Sequence, residues 1–214
     1  MENKIKIYHR IAAGMVFIAF PLLFYVLGDF PRRTLLKETI SVVTLIAFFM
    51  MLFQFYLSRA NGNILKEHKM SKVVKWHKVL GYVFVSILLV HPFLIVLPRY
   101  FEAGVEPLEA LTTILTTFGS KGIILGLSAW VLVFIIGLTS ILRNKLGLSY
   151  KAWRISHGIL SIVFISVASL HVVELGRHIN QPMQWMIAVL SIGGITLLIQ
   201  TYLFKKPNPK QQQS

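Results

Sequence analysis

Long apolar stretches alternate with short polar stretches along this chain of 214 residues. Six of the apolar stretches reach the ~20 residues that an α-helix needs to cross a bilayer. The pattern predicts an all-α protein, an integral membrane six-helix bundle that forms one domain over 1–204 and ends in a polar tail at 205–214. The predicted helices lie at about 8–28, 38–58, 73–98, 120–142, 151–175 and 182–204.

The composition also indicates a membrane protein. Hydrophobic residues make up 55% of the chain and charged residues 14%, whereas soluble domains carry about 25% charged residues. A chain this hydrophobic does not have the composition of a disordered protein. Because the sequence contains no cysteine, disulfides and cysteine-ligated zinc or iron–sulfur sites are excluded. Any metal chemistry must therefore use histidines, carboxylates or a cofactor.

The net charge of +14 is unevenly distributed between the polar stretches. The two ends of the chain and the second and fourth connections between predicted helices hold 16 basic and two acidic residues. The other three connections hold six of each. Since basic loops stay on the cytoplasmic side, we predict a plasma (inner) membrane protein with both termini in the cytoplasm. Topology and contact with the lipid bilayer explain the basic residues, so no nucleic-acid partner is expected.

Histidines recur with the same spacing in two of the predicted helices. The third helix carries His77 and His91 and the fifth carries His157 and His171, so both pairs are separated by 14 positions. Fourteen steps of ~100° fall about 40° short of four turns, which puts both histidines of a pair on one helix face, about 21 Å apart along the axis. The third and fifth helices run in the same direction across the membrane. His77 should therefore lie level with His157 near the cytoplasmic face, and His91 level with His171 nearer the outer face.

Two stacked histidine pairs are typical of two bis-histidine haems, because the porphyrin supplies the other four nitrogens to each iron. Two alternatives stay open at this point. A histidine in a membrane helix can be a hydrogen-bonded packing residue. Zinc or copper is the other alternative, although each level offers only two histidines and no carboxylate or thiolate nearby.

Haem propionates are anionic and need basic or hydrogen-bonding partners at the membrane faces. Three candidates belong to the cytoplasmic side and four to the outer side. In that order, they are Lys78, Arg154, Arg59, Arg99, Arg177, Tyr100 and His178. Each is equally typical of a side chain that snorkels to the interface. Trp153 is predicted to belong to an interfacial aromatic belt.

The paired H-x13-H motif on the third and fifth of six helices resembles the ferric-reductase-like transmembrane domain superfamily, which includes NADPH oxidases, ferric reductases and the haem subunit of a methionine-sulfoxide reductase system. The resemblance implies that His77 and His157 ligate an inner haem b, and that His91 and His171 ligate an outer one. It also implies a membrane oxidoreductase subunit without a catalytic residue of its own. Electrons would pass from a cytoplasmic donor to an outer acceptor such as ferric iron, oxygen or a protein.

The electron donor is expected to lie outside this sequence. The chain has no G-x-G-x-x-G nucleotide motif and no flavin-site motif of the superfamily. A cytoplasmic flavoprotein reductase that uses FAD and NAD(P)H, or a quinol, would supply the electrons, unless the chain is part of a longer flavin-containing protein. The run RNKLGLSYKAWRISH resembles the methionine-sulfoxide type. The alternatives are a quinol-oxidising respiratory cytochrome b subunit and a haem-free transporter or structural protein.

Overall fold

The computed structural model of the protein describes residues 2–31 and 33–203, with the side chains of residues 2–6 left aside. The predicted tail at 205–214 and Arg32 lie outside the described residues. Every secondary-structure element in the described part is helical. The α-helices are α1 (Glu2–Gly14), α2 (Phe20–Leu27), α3 (Leu35–Tyr56), α4 (Gly62–Glu67), α5 (Met70–Ala103), α6 (Pro107–Thr116), α7 (Lys121–Ile141), α8 (Tyr150–Leu175) and α9 (Gln181–Leu203).

Six helical segments of the described chain are long and apolar enough to cross a membrane. They are Ile7–Leu27, Leu35–Tyr56, Met70–Ala103, Lys121–Ile141, Tyr150–Leu175 and Gln181–Leu203. The predicted all-α membrane bundle with six spans is therefore confirmed. The ends of most spans differ by a few residues from the predicted ones, and the third span differs most.

The third span is longer than its apolar stretch because α5 continues through Pro92 and Pro98. Membrane helices tolerate proline where neighbouring groups satisfy the freed backbone carbonyls. The helix ends at Gly104, whose φ of 66° is the left-handed conformation that favours glycine after a helix. In the first span, a π-helical turn at Met15–Ala19 joins α1 to α2 just before Pro21, which has no N–H to donate back to that turn.

Two short helices lie in connections that the apolar pattern does not reveal. Asn61 caps α4 by accepting hydrogen bonds from the backbone of Asn63 and Ile64. Pro107 begins α6, which packs against the end of α5 and encloses a cavity of about 340 Å³ lined entirely by apolar residues. The predicted loop before α7 thus contains a helix at the surface of the bundle.

The core lies around α3, which packs against α5, α9 and the first span. Phe49 and Leu52 of this helix are almost completely buried. α7 packs along both α5 and α8, and α9 returns from α8 to α3, which closes a ring of five long helices. The two helices that carry the paired histidines, α5 and α8, lie across this ring and make few close backbone contacts with each other. Their side chains therefore meet across an interior space.

Candidate functional site

The four paired histidines lie on α5 and α8 and are partly buried. The imidazole rings of His77 and His157 lie edge to face, with centroids 6.4 Å apart and planes inclined by 68°. His91 and His171 are close enough to interact electrostatically. The tertiary fold thus brings together histidines that are 80 positions apart in the sequence at each of the two levels.

Backbone carbonyls orient two of the rings. Nδ1 of His77 donates to the carbonyl oxygen of Leu57 at 2.9 Å, and Nδ1 of His171 donates to that of Gly122 at 2.8 Å. A neutral imidazole that donates from Nδ1 keeps a lone pair on Nε2 for a metal. Hydrogen bonds of this kind support most histidine ligands in metalloproteins because they set the tautomer and the ring orientation.

Glycine on α7 makes room for the ring of His171. A Cβ atom at Gly126 would lie only 2.6 Å from Cε1 and 2.7 Å from Nδ1 of that ring. The neighbouring Gly122 supplies the carbonyl oxygen that the ring binds. The Gly-x3-Gly pair is often a helix-packing motif. Here its two glycines contact the imidazole of His171. Gly81 on α5 makes no such contact, because a Cβ there would meet no atom within 4 Å.

The separation of the inner pair is compatible with two imidazoles that would hold one metal. A metal–nitrogen bond of about 2 Å, with the ring centre roughly 1 Å beyond the nitrogen, places the two ring centroids about 6 Å apart. The observed separation is 6.4 Å. Within the described residues, no three or more histidines and carboxylates are arranged to bind a metal ion. The residues present therefore fit a metal that brings its own equatorial ligands, as in haem, better than a bare zinc or copper ion.

Two buried polar groups near these pairs have no hydrogen-bond partner in the described structure. One is Nδ1 of His91, and the other is the side-chain amide of Gln54 on α3, which is only 7% exposed. Buried polar atoms without a partner are rare and costly, so they mark places where a bound group or water is expected. Gln54 was missed by the sequence analysis, although it is the single amide in the apolar run 45–57.

Four of the basic residues predicted to bind propionates have different surroundings. Arg154 precedes His157 by one turn, is partly buried, and has an Nε atom without a partner among the described residues. Lys78 is exposed, and because it directly follows His77 it projects about 100° away from that ring. Arg99 is also exposed, while Arg177 lines a separate cleft at the other end of the bundle. Arg154 is the best placed of the four.

Aromatic rings connect His157 to the protein surface. Trp153 stacks on His157 with centroids 5.2 Å apart, and Tyr150 stacks on Trp153 at 6.2 Å. The guanidinium of Arg143 lies over both outer rings, at 4.7 and 4.9 Å from their centroids, and that of Arg59 lies 5.4 Å from the Tyr150 ring. The predicted interfacial tryptophan is thus also part of a cationic and aromatic surface, which we call the stacked surface.

A polar cluster at the opposite end joins the first span, α3 and the α8–α9 connection. Arg33 donates from Nε to Glu38 at 2.8 Å and from a terminal nitrogen to Ser41 at 2.6 Å, and the same nitrogen lies 3.0 Å from Nε2 of His178. Tyr25 also donates to Glu38, and its ring stacks on His178 at 4.1 Å. Burial holds the pKa of His178 below its usual value, although the Glu38 carboxylate opposes this effect. Only His178 of this cluster was named from the sequence, because the charges of the cluster balance in ordinary connections.

Six apolar spans with facing histidine pairs in their interior define a multi-pass membrane protein built around paired imidazoles. The chain belongs to the ferric reductase-like family, because residues 43–168 match the family described as "Ferric reductase like transmembrane component". Three of the paired histidines lie inside that match and His171 lies three residues beyond its end. The resemblance predicted from the histidine spacing is confirmed, and the family indicates an oxidoreductase-type membrane component that takes part in transmembrane electron transfer.

A protein of Archaeoglobus fulgidus is 43% identical over 162 residues. The aligned region covers 76% of this chain and 88% of that protein, which is described only as uncharacterized. No solved structure matches the chain significantly. The likeness to this relative therefore supports the shared membrane domain and adds no assigned activity.

Proposed function

We propose that this protein binds two b-type haems and carries electrons from a cytoplasmic donor to an acceptor on the outer side of the plasma membrane. The observation that carries the proposal is the facing of His77 and His157 at 6.4 Å between ring centroids in a ferric reductase-like membrane component. Haem b supplies reversible one-electron chemistry when it is bound. The histidine pairs would hold the two haems about 21 Å apart along the helix axis.

The chain's own residues orient the ligands and exclude competing chemistry. The carbonyls of Leu57 and Gly122 hold His77 and His171 with Nε2 available. The apolar core around α3 would limit the access of water to bound haems and so favour electron transfer over proton chemistry. Arg154 would bind a propionate at the inner level through its unpaired Nε.

The proposed orientation follows from the basic side of the chain. With 16 basic and two acidic residues, that side is cytoplasmic by the positive-inside rule, and both termini lie there. The stacked surface is at this side, next to His157. Its arginines would attract an acidic flavoprotein reductase that uses FAD and NAD(P)H, because complementary charge speeds association and orients the partners. A quinol is the other donor to test.

Haem stoichiometry and a reduced-minus-oxidised spectrum test the proposal directly. The purified protein, expressed with ample haem, should contain two haems b per chain. The variants to compare with it are His77→Ala, His157→Ala, His91→Ala and His171→Ala. We expect the first two to lose one and the same haem, and the last two to lose the other, because each haem needs both of its ligands.

His9→Ala is the matched control, since His9 is an exposed histidine of α1 that pairs with Glu67. It should keep both haems. Retention of both haems in any of the four paired variants contradicts the ligand assignment. A wild-type protein without haem after haem-replete expression contradicts the function itself and favours a haem-free membrane protein. Reduction by quinol with no flavoprotein present would favour the quinol as the donor.

A further inference from the structure

A cleft of about 310 Å³ lies beside the polar cluster at the outer end of the bundle, and we call it the outer cleft. Its lining residues are Phe30, Pro31, Arg33, Arg177 and His178. All of them come from the α2–α3 and α8–α9 connections, and none comes from the helices that carry the histidine pairs. The outer cleft is therefore a separate feature from the face between α5 and α8.

His178 offers a ring N–H group as a hydrogen-bond donor to the outer cleft. Its side chain is only 10% exposed, and its Nε2 lies 3.0 Å from a terminal nitrogen of Arg33, which can only donate. This contact favours the neutral tautomer that accepts at Nε2 and carries its proton on Nδ1. The Glu38 carboxylate is slightly farther from Nε2, at 3.3 Å. Nδ1 is buried and has no hydrogen-bond partner in the described structure, so it is an N–H donor that lacks an acceptor.

Among the described residues, one cation of the outer cleft has no carboxylate partner. Arg33 pairs with the Glu38 carboxylate, whereas Arg177 lines the outer cleft without such a partner. Arg177 is exposed and makes no ion pair within the ranges 2–31 and 33–203. Its guanidinium is therefore available to an anion. Charge-assisted hydrogen bonds from such a group to an oxyanion are among the stronger polar interactions in proteins.

One wall of the outer cleft is apolar. Phe30 and Pro31 form it, and the Phe30 ring meets His178 edge-on with centroids 5.0 Å apart. A ligand that matches both walls has one oxyanion group and an apolar body. An inorganic anion does not match the aromatic wall.

We propose that the outer cleft binds an anionic ligand through its oxyanion group, which accepts from Nδ1 of His178 and from Arg177 while its apolar part packs on Phe30. A soluble aromatic or aliphatic carboxylate and the phosphodiester of an anionic lipid share this chemistry. The site is independent of the proposed electron transfer, because it uses none of the paired histidines. If that function holds, the outer cleft admits carboxylate-bearing molecules on the acceptor side.

Calorimetric titration of the full-length, haem-loaded protein tests the site with benzoate as the probe. In nanodiscs of phosphatidylcholine, benzoate should bind saturably and the uncharged benzyl alcohol should not. In nanodiscs that contain phosphatidylglycerol, weaker benzoate binding identifies the lipid as the competing source of the oxyanion. Unchanged binding identifies a soluble source, and both results support the site.

Substitutions separate the donors of the site from general electrostatics. Arg177→Gln should weaken benzoate binding at least about 10-fold, because it removes a charge-assisted hydrogen bond. His178→Gln keeps an acceptor for Arg33 but removes the Nδ1 donor, so it should weaken binding to a similar degree, and His178→Asn should restore part of the affinity. Lys121→Gln is the control, since it removes one exposed charge that pairs with Glu174 on the same side.

Three results would overturn the proposal. The first is a combination of two results: benzoate does not bind saturably in phosphatidylcholine nanodiscs, and wild type and Arg177→Gln bind phosphatidylglycerol equally well. The second is an equal loss of affinity in Lys121→Gln. The third is binding to haem-free protein that disappears on haem loading, since a haem propionate would then fill the outer cleft. Thermal unfolding of each variant checks that the fold is intact, and the exposed position of Arg177 makes that variant the safest of the series.

Discussion

Replacement of Gly126 by alanine should displace the imidazole of His171 and so weaken the binding of the proposed outer haem. The new Cβ would lie 2.6 Å from Cε1 of the ring, whereas carbon atoms in contact are about 3.5–4.0 Å apart. The ring must therefore move by about 1 Å. Such a movement stretches the 2.8 Å bond from Nδ1 to the Gly122 carbonyl beyond hydrogen-bond range.

The size of the effect follows from the lost hydrogen bond and from the overpacking at the ring. The hydrogen bond contributes about 0.5–1.5 kcal/mol, and overpacking costs about 1–3 kcal/mol. The loss of a group that orients a metal ligand lowers metal affinity about 10- to 100-fold. We therefore expect Gly126→Ala to keep the inner haem and to bind the outer haem at least about 10-fold more weakly. Spectroscopic titration of haem into the purified variant measures both sites.

Gly14→Ala is the matched control, because a Cβ at Gly14 meets no atom within 4 Å and this residue ends α1 away from the histidines. That variant should bind both haems normally and gain up to ~1 kcal/mol in helix stability. Unchanged outer haem affinity and an unchanged outer haem spectrum in Gly126→Ala would refute the reasoning. Equal losses in the two variants would refute it as well, because the effect would then not come from contact with the ring.

Three further predictions concern other parts of the chain. Trp153→Leu removes the stack on His157 and should lower the free energy of unfolding by about 3 kcal/mol. Trp153→Phe should lower it by only about 1 kcal/mol. Equal losses of unfolding free energy in the two variants, measured by thermal unfolding, would contradict the stacking role. Gln54→Leu removes a buried amide without partners and should raise the unfolding free energy of the haem-free form by about 1–3 kcal/mol, and a destabilised variant would disprove this. The lowered pKa of His178 means that the unfolded chain binds more protons below about pH 6.5. The thermal midpoint should fall as the pH drops through that range, and His178→Gln should show less of this decrease; identical pH profiles would contradict it.

Much of the fold could be predicted because the deciding signals are local. An apolar stretch long enough to cross the bilayer must form a helix, since no water is present to satisfy its backbone groups. The spacing of 14 positions between His77 and His91 places both on one helix face whatever surrounds them. The family resemblance depends on the same local spacing, and the match over 43–168 supports it. The helices α4 and α6 escaped prediction because they are short and their stability depends on packing against α5.

The sequence by itself determined the six spans, the spacing of the histidines and the separation of charge between the two sides. Only the tertiary structure decided that His171 rests against Gly126, that Gln54 is buried without a partner, and that Arg177 joins Arg33 in a cleft apart from the histidine pairs. The reason is physical. Helix formation and membrane insertion depend on neighbours along the chain, whereas a hydrogen bond or a steric fit depends on distances between segments that only packing brings together. Arg33 and His178 are 145 positions apart in the sequence, and nothing along the chain indicates that their side chains lie 3.0 Å apart.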